Sequence, residues 1–108
     1  MNKIFSMIGM ATKAGKVVSG EFATEKAVKT GKAFLVIVSE EASDNTKKMF
    51  RNMCTFYKVS MYAYGSKEAL GHSMGKEFRA SLAVTDEGFA KSIEKRLKEA
   101  ERIAEVAE

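Results

Sequence analysis

The stretch AFLVIV at residues 33–38 decides the fold, because it places six consecutive apolar residues in an otherwise charged chain. Gly31 and Lys32 precede it, and the polar stretch SEEAS (39–43) follows it. A strand buried on both faces has a continuous apolar sequence of this kind, whereas a strand with one face in water alternates. We therefore predict that 33–38 forms the central strand of a sheet that helices cover on both sides.

Helices and further strands are predicted on either side of this strand. Apolar residues at helical spacing, polar caps and terminating glycines indicate five helices. They span about 2–14, 20–30, 43–57 and 67–74, and the last begins at Thr85 or Asp86. Further strands are predicted at 59–64 and 80–84, and residues 16–19 are predicted to be a short extended link. Strands that alternate with helices predict βαβ crossovers and an α/β domain, here a single domain covering 1–108.

Composition narrows the class of protein. The chain has 108 residues, and no apolar run approaches the ~20 residues that span a bilayer. Its N-terminal segment is interrupted by Gly9, Thr12 and Lys13, unlike the apolar core of a secretory signal. One cysteine and one histidine provide neither a disulfide nor a set of zinc ligands. We expect a cytoplasmic protein with no membrane association, no metal and no cofactor.

The distribution of charge favours a polyanionic partner. Residues 1–80 hold 13 Lys/Arg against 7 Asp/Glu, a balance of +6, whereas residues 81–108 hold 5 against 7, a balance of −2. A basic body beside a mildly acidic tail is typical of proteins that bind polyanions, although a protein that is merely soluble can share it.

The second predicted helix combines an open start with several cations. Gly20 precedes it, so free backbone N–H groups and the positive end of the helix dipole provide a site for phosphate. Three lysines recur every third residue, two more come from the preceding segment, and we expect them all to converge on one surface. They are Lys13, Lys16, Lys26, Lys29 and Lys32. The alternative is a solvated lysine face on a surface helix.

The sequence offers little for catalysis. His72 is the sole histidine and has no triad partners near it, and Cys54 lies on the apolar face of its helix, where a thiol behaves as a small hydrophobic group. Glu40, Glu41 and Asp44 follow the central strand, where carboxylates could hold Mg²⁺ in an enzyme acting on nucleic acid. No phosphate-binding loop accompanies them, so we favour a solvated loop leading into a helix cap and expect no enzyme.

The residues that resemble a known family are Gly20, Lys26, AVKTGKAFLVIVSEEAS (27–43) and LGHSMGKEFRASLAV (70–84), in that order. Three further motifs resemble one branch of it: KAGKVVSGE (13–21), EEASDNT (40–46) and VTDEGFAKSI (84–93). Over about residues 3–95 the chain is similar to the kink-turn RNA-binding ribosomal-protein superfamily of the L7Ae/L30e type, and most similar to its small bacterial YlxQ-like branch. The resemblance implies a three-layer α/β/α sandwich with a mixed sheet of about four strands.

The resemblance also implies a mode of binding. In the family, a G-x-N-E-x-x-K segment enters the groove of a sharply bent RNA and contacts guanine edges of sheared G·A pairs, while a second, apolar loop packs against a flipped-out nucleotide. Gly20 and Lys26 match this pattern, but Phe22 and Ala23 replace the Asn and Glu that can hydrogen-bond a guanine edge. Phe22 either stacks on an exposed base or is buried as an anchor for the helix, and we favour burial.

We therefore expect a non-catalytic, monomeric RNA-binding protein that is ribosomal or ribosome-associated. The alternative is a protein-interaction module that docks a partner through Phe89, Ile93 and Leu97 of the last helix. The expected RNA-binding residues are Lys13, Lys16, Gly20, Glu21, Phe22, Lys26, Lys29, Lys32, Lys76, Glu77, Phe78 and Arg79.

Overall fold

The computed structural model describes the backbone of residues 2–107 and the side chains of residues 2–102. Within that range helices and strands follow one another in the order α1 (Lys3–Lys13), β1 (Val17–Ser19), α2 (Glu21–Lys29), β2 (Leu35–Val38), α3 (Asp44–Tyr57), β3 (Ser60–Ala63), α4 (Lys67–Ser73), β4 (Ser81–Val84) and α5 (Glu87–Ala107).

The four strands form one mixed sheet in the order β1-β4-β2-β3. Strands β2 and β3 run parallel, whereas β4 is antiparallel to both of its neighbours, β1 and β2. The mixed four-stranded sheet is confirmed. The prediction of βαβ crossovers holds for β1-α2-β2 and β2-α3-β3, because β1, β2 and β3 run in the same direction. It fails for β3-α4-β4, because β4 enters the sheet in the opposite direction.

Side chains that alternate along β2 divide the core into two halves. Leu35 and Ile37 pack with α1, α4 and α5 on one face of the sheet, and Val36 and Val38 pack with α2 and α3 on the other. All four are fully buried, as expected for a central strand. The three-layer α/β/α sandwich is thereby confirmed.

Strand β1 was predicted only as an extended link. Its three residues pair with β4, in the register Val17 with Val84 and Ser19 with Leu82. Three residues are too few to show a pattern in the sequence, so it is the backbone pairing that makes this segment a strand.

The apolar run is shorter as a strand than predicted. Phe34 precedes β2 and is 46% exposed, although its N–H still donates to Val84 O at 2.9 Å. The expectation that this side chain is buried with the rest of the run is wrong.

Helix α5 packs against the sheet through the three residues of the alternative prediction, in which this helix docks a partner protein. Ile93 and Leu97 are buried in the core with α1 and α4, and Phe89 packs against the same cluster. These side chains are therefore not free to dock another protein. The helices of residues 2–107 include none with both the length and the apolar character needed to cross a bilayer.

Candidate nucleic-acid interface

Several segments that carry expected binding residues lie at one end of the sheet, which we call the mouth end. Gly20 N–H donates to Ser81 O at 3.0 Å, which ties the start of α2 to the start of β4. Ser39 N–H donates to Ala80 O at 2.8 Å, and its hydroxyl donates to Gly65 O at 2.9 Å. The start of α2, the loop leading to α3 and the loop before β4 therefore lie at the same end.

Gly20 opens α2 in a conformation that only glycine adopts readily, with φ 93° and ψ 157°. No atom lies within 4 Å of the position where a Cβ would stand, so the approach to the helix start is open. Among the described backbone atoms of residues 2–107 and side chains of residues 2–102, none accepts a hydrogen bond from the backbone N–H of Glu21, Phe22 or Ala23. These three donors and the positive end of the helix dipole form a ready site for an anion.

Arg79 lies beside this helix start. Its Nε donates to Ser19 Oγ at 3.1 Å, and its Nη1 donates to Phe78 O at 2.7 Å. These bonds use two of the five N–H groups of a guanidinium, and Arg79 forms no ion pair with the described carboxylates. The guanidinium is thus oriented by Ser19 while it keeps donors for a phosphate oxygen.

The loop that carries Arg79 is held against α4. Lys76 N–H donates to Gly71 O at 2.8 Å, and Arg79 N–H donates to Lys67 O at 3.0 Å. A Cβ on Gly71 would lie only 2.5 Å from Glu77 O and 2.8 Å from Phe78 N. The loop can therefore approach α4 this closely only because residue 71 is a glycine.

Two exposed aromatic rings flank the site. Phe22 is 81% exposed and Phe78 is 59% exposed. The expectation that Phe22 is buried is wrong. The buried face of α2 is formed by Thr24, Ala27 and Val28, and at 100° per residue Phe22 lies about 200° from Thr24, on the opposite side of the helix.

An apolar hollow of about 360 Å³ runs beside α2 and β1. Val18, Ala23 and Ala27 line it, and Phe22 stands at its edge. Lys26, Thr30, Lys32 and Thr85 complete the lining. The small side chain of Ala23, at the position where the family pattern has a glutamate, helps to leave this space open.

The five lysines do not gather at the mouth end. Lys26 lines the hollow, whereas Lys29 forms an ion pair with Glu25 at 2.7 Å. The hydrogen bond and charge of Glu25 raise the pKa of Lys29. Lys13 and Lys16 lie at the other end of the sheet, where Thr85 N–H donates to Lys16 O at 2.8 Å. Lys32 lies at that end too, although it lines the far part of the same hollow as Lys26. Strand β1 separates Lys16 from Gly20 by about 13 Å, at ~3.3 Å per residue.

The remaining expected site residues are exposed near the helix start. Glu21 occupies the first turn of α2, and Lys76 and Glu77 lie in the loop before β4. Together with Gly20, Phe22, Phe78 and Arg79 they form the surface that we call the mouth surface, with Lys26 at its margin.

The acidic cluster after β2 has a structural role. Glu41 Oε1 accepts a hydrogen bond from Lys67 N–H at 2.9 Å and so fixes the start of α4, while Ser43 caps α3. The described part of the chain contains no group of three or more acidic, histidine or cysteine side chains that could hold a metal ion. Cys54 is buried, and burial raises the pKa of its thiol to about 11, so it is a poor nucleophile.

Three features of the site were not predicted from the sequence. They are the Arg79–Ser19 contact, the close packing at Gly71 and the hollow beside α2. Only Gly71 leaves a signal in the sequence, since a glycine inside a helix often marks a close approach of another backbone.

Comparisons with known proteins show which protein family the chain belongs to. Residues 2–94 match the model of the ribosomal protein L7Ae/L30e/S12e/Gadd45 family. The chain is 44% identical over 89 residues to the RNA-binding protein YlxQ of Bacillus subtilis, covering 82% of this chain and 89% of that protein. It is 33% identical over 87 residues to the large ribosomal subunit protein eL30 of Neurospora crassa, covering 79% and 80% of the two chains.

A solved structure supports the same relationship. A Bacillus halodurans protein of unknown function superposes with a TM-score of 0.86 at 33% identity, covering 88% of this chain and 96% of that one. The matched family model covers most of the chain, and the relatives match over most of their own length. This chain therefore belongs to the ribosomal protein L7Ae/L30e/S12e/Gadd45 family.

Proposed function

We propose that this chain is a non-catalytic RNA-binding protein that holds a sharply bent RNA on the mouth surface. The observation that carries the proposal is the set of unpaired N–H donors at the start of α2 beside the oriented guanidinium of Arg79. Its relatives include an RNA-binding protein and ribosomal proteins, which supports the same class of ligand.

The geometry suggests a division of roles within the mouth surface. The N–H groups of residues 21–23, the Arg79 guanidinium and the ammonium groups of Lys26 and Lys76 contact phosphates. Phe22 and Phe78 stack on unpaired bases, which is how many proteins contact RNA outside regular helices. Glu21 and Glu77 lie next to these groups and approach the bases. Lys13, Lys16, Lys29 and Lys32 contribute mainly to long-range attraction of the RNA.

The proposal includes a partner and a location. The ligand is a folded RNA such as ribosomal RNA, the protein binds as a single copy, and it acts in the cytoplasm. The family relationship to ribosomal proteins and the positive balance of residues 1–80 support this assignment.

The salt dependence of binding to a labelled kink-turn RNA tests the proposal. Each phosphate contact lowers the slope of log K against log salt by about 0.7 to 0.9, so three to five contacts give a slope of roughly −2 to −4. Fluorescence anisotropy at several salt concentrations measures the slope, and a straight duplex of equal length is the control. A flat response, or equal affinity for the straight duplex, would contradict the proposal.

Replacing the two exposed phenylalanines tests the stacking role. Phe22→Ala and Phe78→Ala are each expected to weaken binding by roughly 5- to 150-fold, because one stacked base contributes about 1–3 kcal/mol. Urea unfolding should show almost no change in stability, since both rings are largely exposed. Met10→Ala is the matched control, because Met10 is an exposed apolar side chain on α1, in the opposite layer. Equal losses in the control and in the phenylalanine variants would exclude stacking by Phe22 and Phe78.

A further inference from the structure

A pair of aromatic rings stands in solvent at the C-terminal end of α3, where the proposed mouth surface does not reach. Phe56 is 77% exposed and Tyr57 is 41% exposed, and their ring centroids lie 4.9 Å apart with planes at 78°. A single exposed ring is ordinary, but two rings in contact on the surface require an explanation.

The residue that follows the rings adopts a conformation that favours glycine. Lys58 has φ 59° and ψ 45°, in the left-handed region. Helices α1, α2 and α4 are each followed within two residues by a glycine with φ 73°, namely Gly15, Gly31 and Gly75. Helix α3 instead retains a lysine at the equivalent point, although a side chain is strained there. Backbone strain of this kind is often kept where the side chain has a function.

The charge along the segment that carries the rings is of one sign, although Glu101 of α5 lines a hollow beside Arg51. Residues 45–58 include Lys47, Lys48, Arg51 and Lys58 and no aspartate or glutamate. None of these four cations pairs with a carboxylate among the described side chains. Cations without counter-charges are complementary to a polyanion, and exposed rings beside them match the stacking platforms that bind single-stranded nucleic acid.

We propose that Phe56, Tyr57 and Lys58 form a second nucleic-acid site, which binds unpaired nucleotides that flank the RNA held on the mouth surface. This inference rests on the proposed function. Helix α3 begins at the mouth end and has 14 residues. At 1.5 Å per residue it places the second site about 20 Å from the mouth surface. Lys32 precedes the neighbouring strand β2 at that same end, so it lies on the side that a flanking strand would reach.

Three labelled RNAs separate the two sites: a kink-turn stem, the same stem with an oligouridine extension, and oligouridine alone. The extension is expected to tighten binding to the unchanged protein by about tenfold, as one additional stacked base would. Phe56→Ala and Lys58→Gly should each remove this gain and leave the affinity for the bare stem unchanged.

Lys58→Gly has a second readout that distinguishes function from structure. Glycine relieves the left-handed strain, so the variant should unfold at a higher urea concentration than the unchanged protein while it loses the gain from the extension. A residue with only a structural role would not combine greater stability with weaker RNA binding. Lys98→Ala removes one exposed cation from α5 and should preserve the gain.

The outcomes for the two proposals are distinguishable. If the stem binds but the extension adds nothing, the second site is excluded and the mouth surface stands. If the stem fails to bind while oligouridine binds and needs Phe56, the second site stands and the proposed function fails. If light scattering shows a dimer that Phe56→Ala dissociates, the rings contact a second protein copy and the second site is excluded.

Discussion

Replacing Gly71 by alanine is expected to destabilise the protein and to remove most of its affinity for RNA. The added Cβ would lie 2.5 Å from Glu77 O and 2.7 Å from Glu77 C, and both are backbone atoms that cannot rotate away. The loop before β4 must then move off α4, and Phe78 and Arg79 move with it. Overpacking costs about 1–3 kcal/mol, and a clash with backbone at 2.5 Å belongs to the upper part of that range. The cost therefore exceeds the ~1 kcal/mol that alanine gains over glycine in a helix.

The loss of affinity should be larger than the loss of stability alone explains. Displacing the loop breaks the hydrogen bond between Arg79 Nε and Ser19 Oγ and moves Phe78, the ring proposed to stack on a base. Binding should therefore weaken by at least about tenfold even where the protein is fully folded. Urea unfolding and anisotropy with the kink-turn RNA measure the two effects separately.

Gly88→Ala is the matched control, because Gly88 is also a helical glycine and its added Cβ meets only the Asp86 side chain, at 3.2 Å. Gly88→Ala should change both the stability and the affinity for RNA only slightly. If Gly71→Ala binds RNA as well as the unchanged protein, the loop before β4 is not part of the binding surface.

The central part of the fold was predictable because one short segment is buried from both sides. Leu35 to Val38 contact both halves of the core, so their sequence is continuous and apolar and identifies the middle of the sheet. Edge strand β1 is not fully buried, and its sequence contains no long apolar run. Val17 and Val18 face opposite halves of the core and are only partly buried, and their strand character depends on distant residues of β4.

The position of the helix start was also predictable, but its neighbours were not. Gly20 and the polar first turn mark the start of α2 in the sequence, whereas the contact between Arg79 and Ser19 joins residues 60 apart and leaves no local pattern. The convergence of the lysines failed for a geometric reason, since an extended strand lies between Lys16 and Gly20 and carries them to opposite ends of the sheet.

The error on Phe22 has an identifiable cause. Phe22 was assigned to a buried position because large apolar side chains are usually inside. The helical spacing of Phe22 from Thr24, Ala27 and Val28 predicts instead that the ring faces solvent, as the structure shows. Apolar residues that contradict the periodicity of their own helix are therefore better candidates for binding than for the core.

Reversing two charges at the mouth surface is expected to have the largest effect on binding. Lys26→Glu combined with Arg79→Glu replaces two cations of the proposed phosphate site by anions beside the open N–H groups of α2. Hydrogen bonds to charged groups contribute about 1.5–3 kcal/mol each, so affinity for the kink-turn RNA should fall by at least about 100-fold. Anisotropy measures the loss, and urea unfolding checks that the variant is folded.

Lys95→Glu combined with Lys98→Glu is the control, because it lowers the net charge by the same four units, from +4 to 0, at exposed positions of α5. It should weaken binding only slightly, through the loss of long-range attraction. The salt slope of the first variant should also be smaller in magnitude by about 1.4 to 1.8, the share of two lost phosphate contacts. If both double variants lose affinity equally, the attraction depends on net charge alone and the RNA has no fixed place at the start of α2.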